Sequence, residues 1–405
     1  MKTLLTFFFT AQTLFIFAQL GCTDPLALNF NPVAVTNDGS CLYNDTTVSV
    51  TESFTLSASL VETSGLIQMN SELWTHNDSY DTHLYRINPS SGATMDSIDL
   101  TNTTNTDWED IAQDTDFLYI GDFGNNSNGN RTDLKILRVE KSSFSVGNPI
   151  IDTISYSYPE QTDFTGSGGN NTNFDCEAML VQGDSIYLFT KQWQDYKTTI
   201  YALPKTPGIY SATRLDTLNV EGLITGATHF ESENIVALSG YSPTLQPFIY
   251  LLYDYTDADF FGANKRKINL SLAFHQVEGI TTDNGLDYFL SNEIVSQSGI
   301  TINQRLHRLD LYDFLSNHIF GEFASTSDHD NTQILIFPNP SEHQLRVAPT
   351  IPGEKIQVFN AQNQSVLTED TQENETIIDV SRLSPGIYFM RLQSGKTIHF
   401  NKVGN

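Results

Sequence analysis

Asp107-Trp108-Glu109-Asp110-Ile111-Ala112 is followed, nine residues after Asp110, by Tyr119-Ile120-Gly121-Asp122-Phe123-Gly124. A carboxylate-headed strand, a turn at Asp114-Thr115-Asp116 and a second strand running into a Gly/Asn loop make one unit, and residues 134–139 supply a third strand. The unit recurs. Upstream, Ser64-Gly65-Leu66-Ile67 leads to residues 73–78 and then 84–87. Downstream, Asp175-Cys176-Glu177-Ala178-Met179-Leu180 leads to residues 186–191, Thr225-Gly226-Ala227 to 235–239, and Glu278-Gly279-Ile280-Thr281 to 288–293. In the five copies the residue after the Ser, Thr or Glu is small or acidic (Gly65, Asp110, Ala178, Gly226, Gly279), and nine positions carry the chain on from it into the next strand.

A weaker fourth strand completes a copy, as at 150–158, 213–220 and 267–272. Four short strands per repeat of roughly 45–65 residues predict an all-β fold, a β-propeller over residues 48–325. A single sheet cannot bury both faces, so each blade needs its neighbours. Five copies predict five blades, or six if a degenerate copy is present. Residues 48–60 alternate as a strand does and are expected to close the ring with the C-terminal strands.

Composition narrows the partners. With 21 Lys+Arg and a formal net charge of -27 in 405 residues, the chain has no basic face for nucleic acid or for an anionic membrane. The same acidity suits either solubility outside the cell or divalent cations. Residues 1–18 carry Lys2, an apolar run and Ala18-Gln19, the plan of a secretory signal peptide, and no later stretch is long enough for a transmembrane helix. In the oxidising compartment beyond, Cys22 and Cys41 are expected to form a disulfide that staples residues 19–47, a piece too small to hold a core. Cys176, inside a strand, reads as a buried thiol. Asp24, Asn37 and Asp38 could offer oxygens to Ca²⁺, although Asx-turns account for the same residues. The segment, with Gly21-Cys22-Thr23-Asp24-Pro25 and Asn37-Asp38-Gly39-Ser40-Cys41, resembles a short repeat common in exported proteins of bacteria that use type IX secretion.

Residues 326–333 read as a polar linker. Beyond it, short alternating strands predict a small β-sandwich over 334–405. Pro338-Asn339-Pro340, Leu383-Ser384-Pro385-Gly386-Ile387-Tyr388 and Lys402-Val403 resemble the motifs of the type A C-terminal sorting domain of the type IX secretion system. That resemblance implies handling by the secretion machinery, translocation across an outer membrane, and attachment to the cell surface or release.

Two sets of residues could carry chemistry. Ser64, Glu109, Glu177, Thr225 and Glu278 share one column of the repeats, on the strand that lines the channel of a propeller. Glu109, Glu177 and Glu278 converging there would repel one another and require protonation, a basic partner or a hard cation such as Ca²⁺. The plainer reading is that each glutamate bonds backbone amides of the next blade. A second set, His76, Asn77, Asp78, Asp122, Lys191, Asn292 and Glu293, ends the second strands and is expected on one rim. Lys191, His76 and Asp122 are its candidates for catalysis should the chain be an enzyme. No nucleophile elbow, H-E-x-x-H, C-x-x-C or P-loop is present. The runs LWTHNDS (73–79), DWEDIA and LYIGDFGNN (107–112 and 118–126), DCEAM (175–179) and VEGIT (277–281) resemble secreted propellers of the esterase-like or phytase-like group. Phytase-type propellers hydrolyse phosphate esters with Ca²⁺, so two functions stand side by side: a binding module for an unidentified ligand, glycan or protein, with Ca²⁺ in its channel, or a Ca²⁺-dependent phosphoesterase.

Overall fold

The computed structural model describes residues 19–146, 149–297, 299–320, 335–348, 350, 352–361, 364–392 and 397–404. The signal-peptide and linker expectations therefore lie outside the described residues. Those described form an all-β protein with one α-helix, Tyr312–Phe320, which the alternating sequence pattern did not anticipate.

Five sheets, each built on four antiparallel strands, follow each other along the chain, the second extended by Gly208–Ser211, which pairs in parallel with Ile151–Ser157. The first pairs Thr63–Met69, Glu72–Asn77, His83–Ile87 and Thr94–Asp99, and the second Trp108–Gln113, Phe117–Asp122, Lys135–Glu140 and Ile151–Ser157. The third pairs Asp175–Gln182, Ser185–Lys191, Lys197–Pro204 and Thr213–Asn219, and the fourth Leu223–Phe230, Ile235–Tyr241, Pro247–Tyr253 and Asn264–Leu270. In the fifth, Val277–Thr281, Asp287–Asn292 and Arg305–Asp310 are completed by Glu52–Thr55 from the opposite end of the region. The strand expected within residues 48–60 thus pairs as anticipated.

Burial gives each sheet a direction. Asp175–Gln182 is buried almost throughout, whereas the outer strands Thr94–Asp99 and Thr213–Asn219 are mostly exposed. Apolar side chains fill the space between consecutive sheets. Ile67 and Leu84 meet Trp108 and Leu118, Tyr119 and Ile154 meet Met179 and Leu188, Leu180 and Phe189 meet Val236 and Leu238, and Ile249 and Leu251 meet Ile280 and Leu290. Leu306 of the fifth sheet then packs on Leu66 and Leu73 of the first, so the succession of cores returns to its start. Close approach of the inner strands explains the glycine at the small-residue position of the fourth and fifth repeats. A Cβ on Gly226 would lie 2.2 Å from the Glu278 carbonyl oxygen, and one on Gly279 would lie 2.5 Å from that of Ser64.

Cys22 and Cys41 form the expected disulfide. Asp24 accepts from the Leu26 amide, Asn37 from Gly39 and Asp38 from Ser40, so these oxygens make Asx-turns. The segment is moored to the fourth sheet. Thr47–Val48 pairs in parallel with Asn264–Leu270, and Tyr253 donates to the Asp24 carboxylate. At the other end of the chain, Leu335–Phe337, Gln344–Ala348 and Thr376–Asp379 form one sheet, with Ser365–Asp370, Lys355–Phe359, Gly386–Leu392 and Thr397–Lys402 in a second. Leu345, Val347, Ile356, Val358, Met390 and Phe400 fill the space between, as a β-sandwich requires.

Candidate binding site

The inner strands share an irregularity that places the site. Asp110 pairs with Gly121 and Trp108 with Asp122, leaving Glu109 as an extra residue. Cys176 and Ala178 likewise pair around Glu177, and Ile224 and Gly226 around Thr225. The shifts between Thr63 and Leu66 and between Val277 and Ile280 do the same for Ser64 and Glu278. Every member of the predicted column therefore sits on a bulge. A bulge breaks the alternation of side chains and re-aims one of them, here toward the common centre.

The column divides by chemistry. Ser64 Oγ donates to the Glu109 carbonyl and Thr225 Oγ1 to that of Val277 (2.6 Å), so the short hydroxyls staple one sheet to another. Glu109, Glu177 and Glu278 instead line a cavity of about 120 Å³, with Glu62, Asp78 and Glu293 contributing further carboxylates. The acid that bonds neighbouring backbone is Asp110, one residue from Glu109. Its carboxylate accepts from the amides of Ile111 (2.8 Å), Met179 (2.7 Å) and Ala227 (3.2 Å), tying together the second, third and fourth sheets.

Lys191 is the basic residue on the cavity wall. Its Nζ lies 2.7 Å from Glu177 Oε2, 4.9 Å from the Trp193 ring centroid and 5.2 Å from that of Tyr241. Asp175 closes the wall behind, accepting from the Asn125 amide (2.6 Å) and the Trp193 indole (2.8 Å). Burial acts against the Lys191 ammonium, but Glu177, Tyr241 and Glu278 outweigh it and hold its pKa well above the ordinary lysine value. Six carboxylates share this single cation. Burial and then the charge of Glu177 push Glu109 well above the usual carboxylate range, and burial does the same to Glu177 against the pull of Lys191. Chiefly through burial, Glu278 rises to about 8, Asp78 to about 7 and Glu293 to about 7, with Glu62 adding repulsion at Asp78. Asp78 Oδ1, Glu177 Oε1 and Glu278 Oε2 are buried and receive no hydrogen bond.

The second predicted set separates. Lys191, Asp78 and Glu293 reach the cavity. His76 does not belong to a rim: it is wholly buried, edge-on to Trp108 with ring centroids 5.7 Å apart, and burial lowers its pKa to about 4. Asp122 is also wholly buried, held by Arg131 Nη2 and Lys135 Nζ at 2.8 Å each, and Asn292 is engaged by His307. Loops cover these strand ends, and Arg131 reaches over Asp122 from a loop of its own sheet. That loop is anchored through Asn125, and Asn170 donates its amide to the Asn126 carbonyl (2.7 Å), so Asn126 and Asn170 wall the cavity. Glu62, Tyr241 and Gln276 also line it, outside both predicted sets. Glu62 and Gln276 stand just before the inner strands, a position the repeat alignment could have flagged.

Residues 335–403 match the family described as the secretion system C-terminal sorting domain. That part of the chain is a type IX sorting domain, and the protein is exported to the outer surface by that route. The chain is similar to a glutaminyl cyclase of Myxococcus xanthus, at 11% identity and a TM-score of 0.39, over 66% of this chain and 100% of the other. It is also similar to PorZ, a surface component of the type IX secretion system of Porphyromonas gingivalis, at 12% identity and a TM-score of 0.29, over 84% of this chain and 45% of that one. A chain of a mitotic checkpoint complex gives 13% identity and a TM-score of 0.35 over 65% of this chain and 96% of the other. Likenesses this weak say nothing of activity. No curated protein matches in sequence.

Proposed function

We propose that the five sheets are the blades of a five-bladed β-propeller, displayed or released at the outer surface, that acts as a binding module for a positively charged ligand. The cyclic succession of inter-sheet cores and the bulged inner strands support the propeller reading. One observation carries the ligand's sign: three buried carboxylate oxygens, on Asp78, Glu177 and Glu278, belong to residues lining a cavity rich in acid and receive no donor from the protein. An unpaired buried carboxylate oxygen is costly, and a cation relieves it.

Ca²⁺ is the smallest candidate, since the donors are hard oxygens. The arrangement as it stands fits it poorly. Lys191 already takes Glu177, and among the described residues no three His, Cys, Asp or Glu side chains are grouped as a metal site. A phosphoester has less support still, because the one cation on the wall is neutralised. The test is calorimetric titration of CaCl₂ and of methylammonium chloride into the metal-stripped full chain, beside Glu177→Gln/Glu278→Gln. Binding of either cation by the wild type and loss in the double variant is expected. A wild type that binds neither would refute the reading.

A further inference from the structure

The acidic cavity adjoins a second hollow of about 480 Å³, with which it shares Asn170, Trp193, Tyr241 and Gln276. The hollow continues over Tyr196, Leu223, Leu245 and Ile294, which come from the third, fourth and fifth sheets and the loops beyond them. Its wall is mixed, with these apolar and aromatic groups set beside Ser242, Gln276 and Ser296, and it carries none of the cavity's carboxylates. Tyr196 and Ile294 leave 40% and 37% of their surface exposed, large apolar groups facing solvent where nothing in the protein covers them. Tyr196 (φ 54°) and Leu245 (φ 56°) both hold left-handed backbone, which side-chain-bearing residues adopt at a cost.

Lys191 shows what the acidic end accommodates. A primary ammonium sits there between a carboxylate and two aromatic faces, the surroundings that hold organic cations. The unpaired oxygens of Glu177 and Glu278 leave provision for a second positive group. A bare divalent ion would use the acids and leave the exposed Tyr196 and Ile294 side chains without a role. We propose, building on the binding-module reading, that the ligand is a primary amine carried on an apolar or aromatic body, its ammonium in the acidic cavity against Glu278 and its body in the adjoining hollow. A carboxylate beside the amine would be repelled by the same six acids. The amine is therefore a small free amine or the N-terminus of a peptide, not a zwitterionic amino acid.

The test titrates the full chain with phenethylamine, phenylalaninamide, phenylalanine, methylammonium and CaCl₂. Phenethylamine or phenylalaninamide should bind about tenfold or more tightly than methylammonium, through burial of the phenyl ring. Phenylalanine should bind more weakly than its amide. Tighter binding of phenylalaninamide than of phenethylamine assigns a peptide N-terminus, and the reverse order assigns a small amine. Glu278→Gln should weaken every amine by about tenfold. Ile294→Ser, at an exposed position that folding tolerates, should weaken phenethylamine about threefold or more and leave methylammonium unchanged. Binding of Ca²⁺ or methylammonium with no gain from the phenyl group, or an Ile294→Ser variant equal to wild type, overturns this inference and leaves the cation-binding reading standing. Failure of every cation overturns both.

Discussion

Replacing Glu278 by glutamine should stabilise the protein relative to wild type, by a margin that grows as the pH rises. Burial, against the pull of Lys191 and with the repulsion of Glu293 and Asp175, carries this carboxyl from its ordinary value of 4.5 to about 8. Between those limits the folded state holds a proton that the unfolded chain has released. Stability therefore falls as pH rises through that window, the sign expected for a raised carboxyl. At ~1.4 kcal/mol per pH unit the loss is on the order of 3 kcal/mol between pH 4.5 and 7 and about 4 kcal/mol by pH 8. The amide variant carries no such slope. The other carboxylates are present in both proteins and cancel to first order. Urea unfolding at pH 5, 6, 7 and 8, followed by tryptophan emission, measures the difference. All three tryptophans, Trp74, Trp108 and Trp193, lie in the five-sheet region, so the sorting domain is silent. A gap between variant and wild type that widens with pH is expected. Parallel curves would show that Glu278 ionises as an ordinary surface acid and would refute the electrostatic account of the cavity.

Lys191→Met should cost on the order of 3–5 kcal/mol where the Glu177 carboxylate is ionised, since it removes that buried group's partner, and the cost should shrink as falling pH protonates the carboxyl. The same urea series reads it, and a cost independent of pH would assign Lys191 a packing role. Gly226→Ala places a methyl 2.2 Å from a backbone oxygen that cannot rotate away, and a loss of about 2 kcal/mol or more should appear as a lowered melting temperature. An unchanged melting temperature would deny the close approach of the inner strands. Cys22→Ser/Cys41→Ser should release about 3 kcal/mol of local restraint, raising amide exchange across residues 22–41 and leaving the tryptophan-detected urea midpoint nearly in place. A large fall in that midpoint would make the segment part of the main cooperative unit.

Much of the fold was legible because one physical demand repeats. Inner strands that meet at a common centre need a small residue at the contact, and Gly226 and Gly279 answer it at constant spacing. Ser64, Glu109, Glu177, Thr225 and Glu278 were recognisable as a column for the same reason. The bulge that aims them was not, because register belongs to a pair of strands and one strand's sequence does not encode it. His76 and Asp122 were misplaced on a rim because burial of a strand end depends on the loops that fold over it, as Arg131 does over Asp122. The adjoining hollow was illegible for a related reason. Tyr196, Leu245 and Ile294 lie far apart in sequence and share no periodicity.

Glu109 and Asp110 show how little composition says about role. They are neighbours in one strand, both buried, both with pKa values raised by burial. Asp110 has three amide donors and ties three sheets together, so its burial is compensated structurally. Glu109, on the bulge, faces Glu177 across the cavity and is repelled by it. A scaffold could hold its inner strands together with hydroxyls and Asp110 alone, as Ser64 and Thr225 already do. Among the described residues the three glutamate side chains make no hydrogen bond to another sheet, and where they ionise their mutual repulsion destabilises the five-sheet region. On the proposed binding role, their placement is accounted for by a ligand that arrives with the missing positive charge, and binding should then release protons near pH 7. Titration in two buffers of different ionisation enthalpy reads that release. Identical apparent heats in both would leave the glutamates without a role in binding.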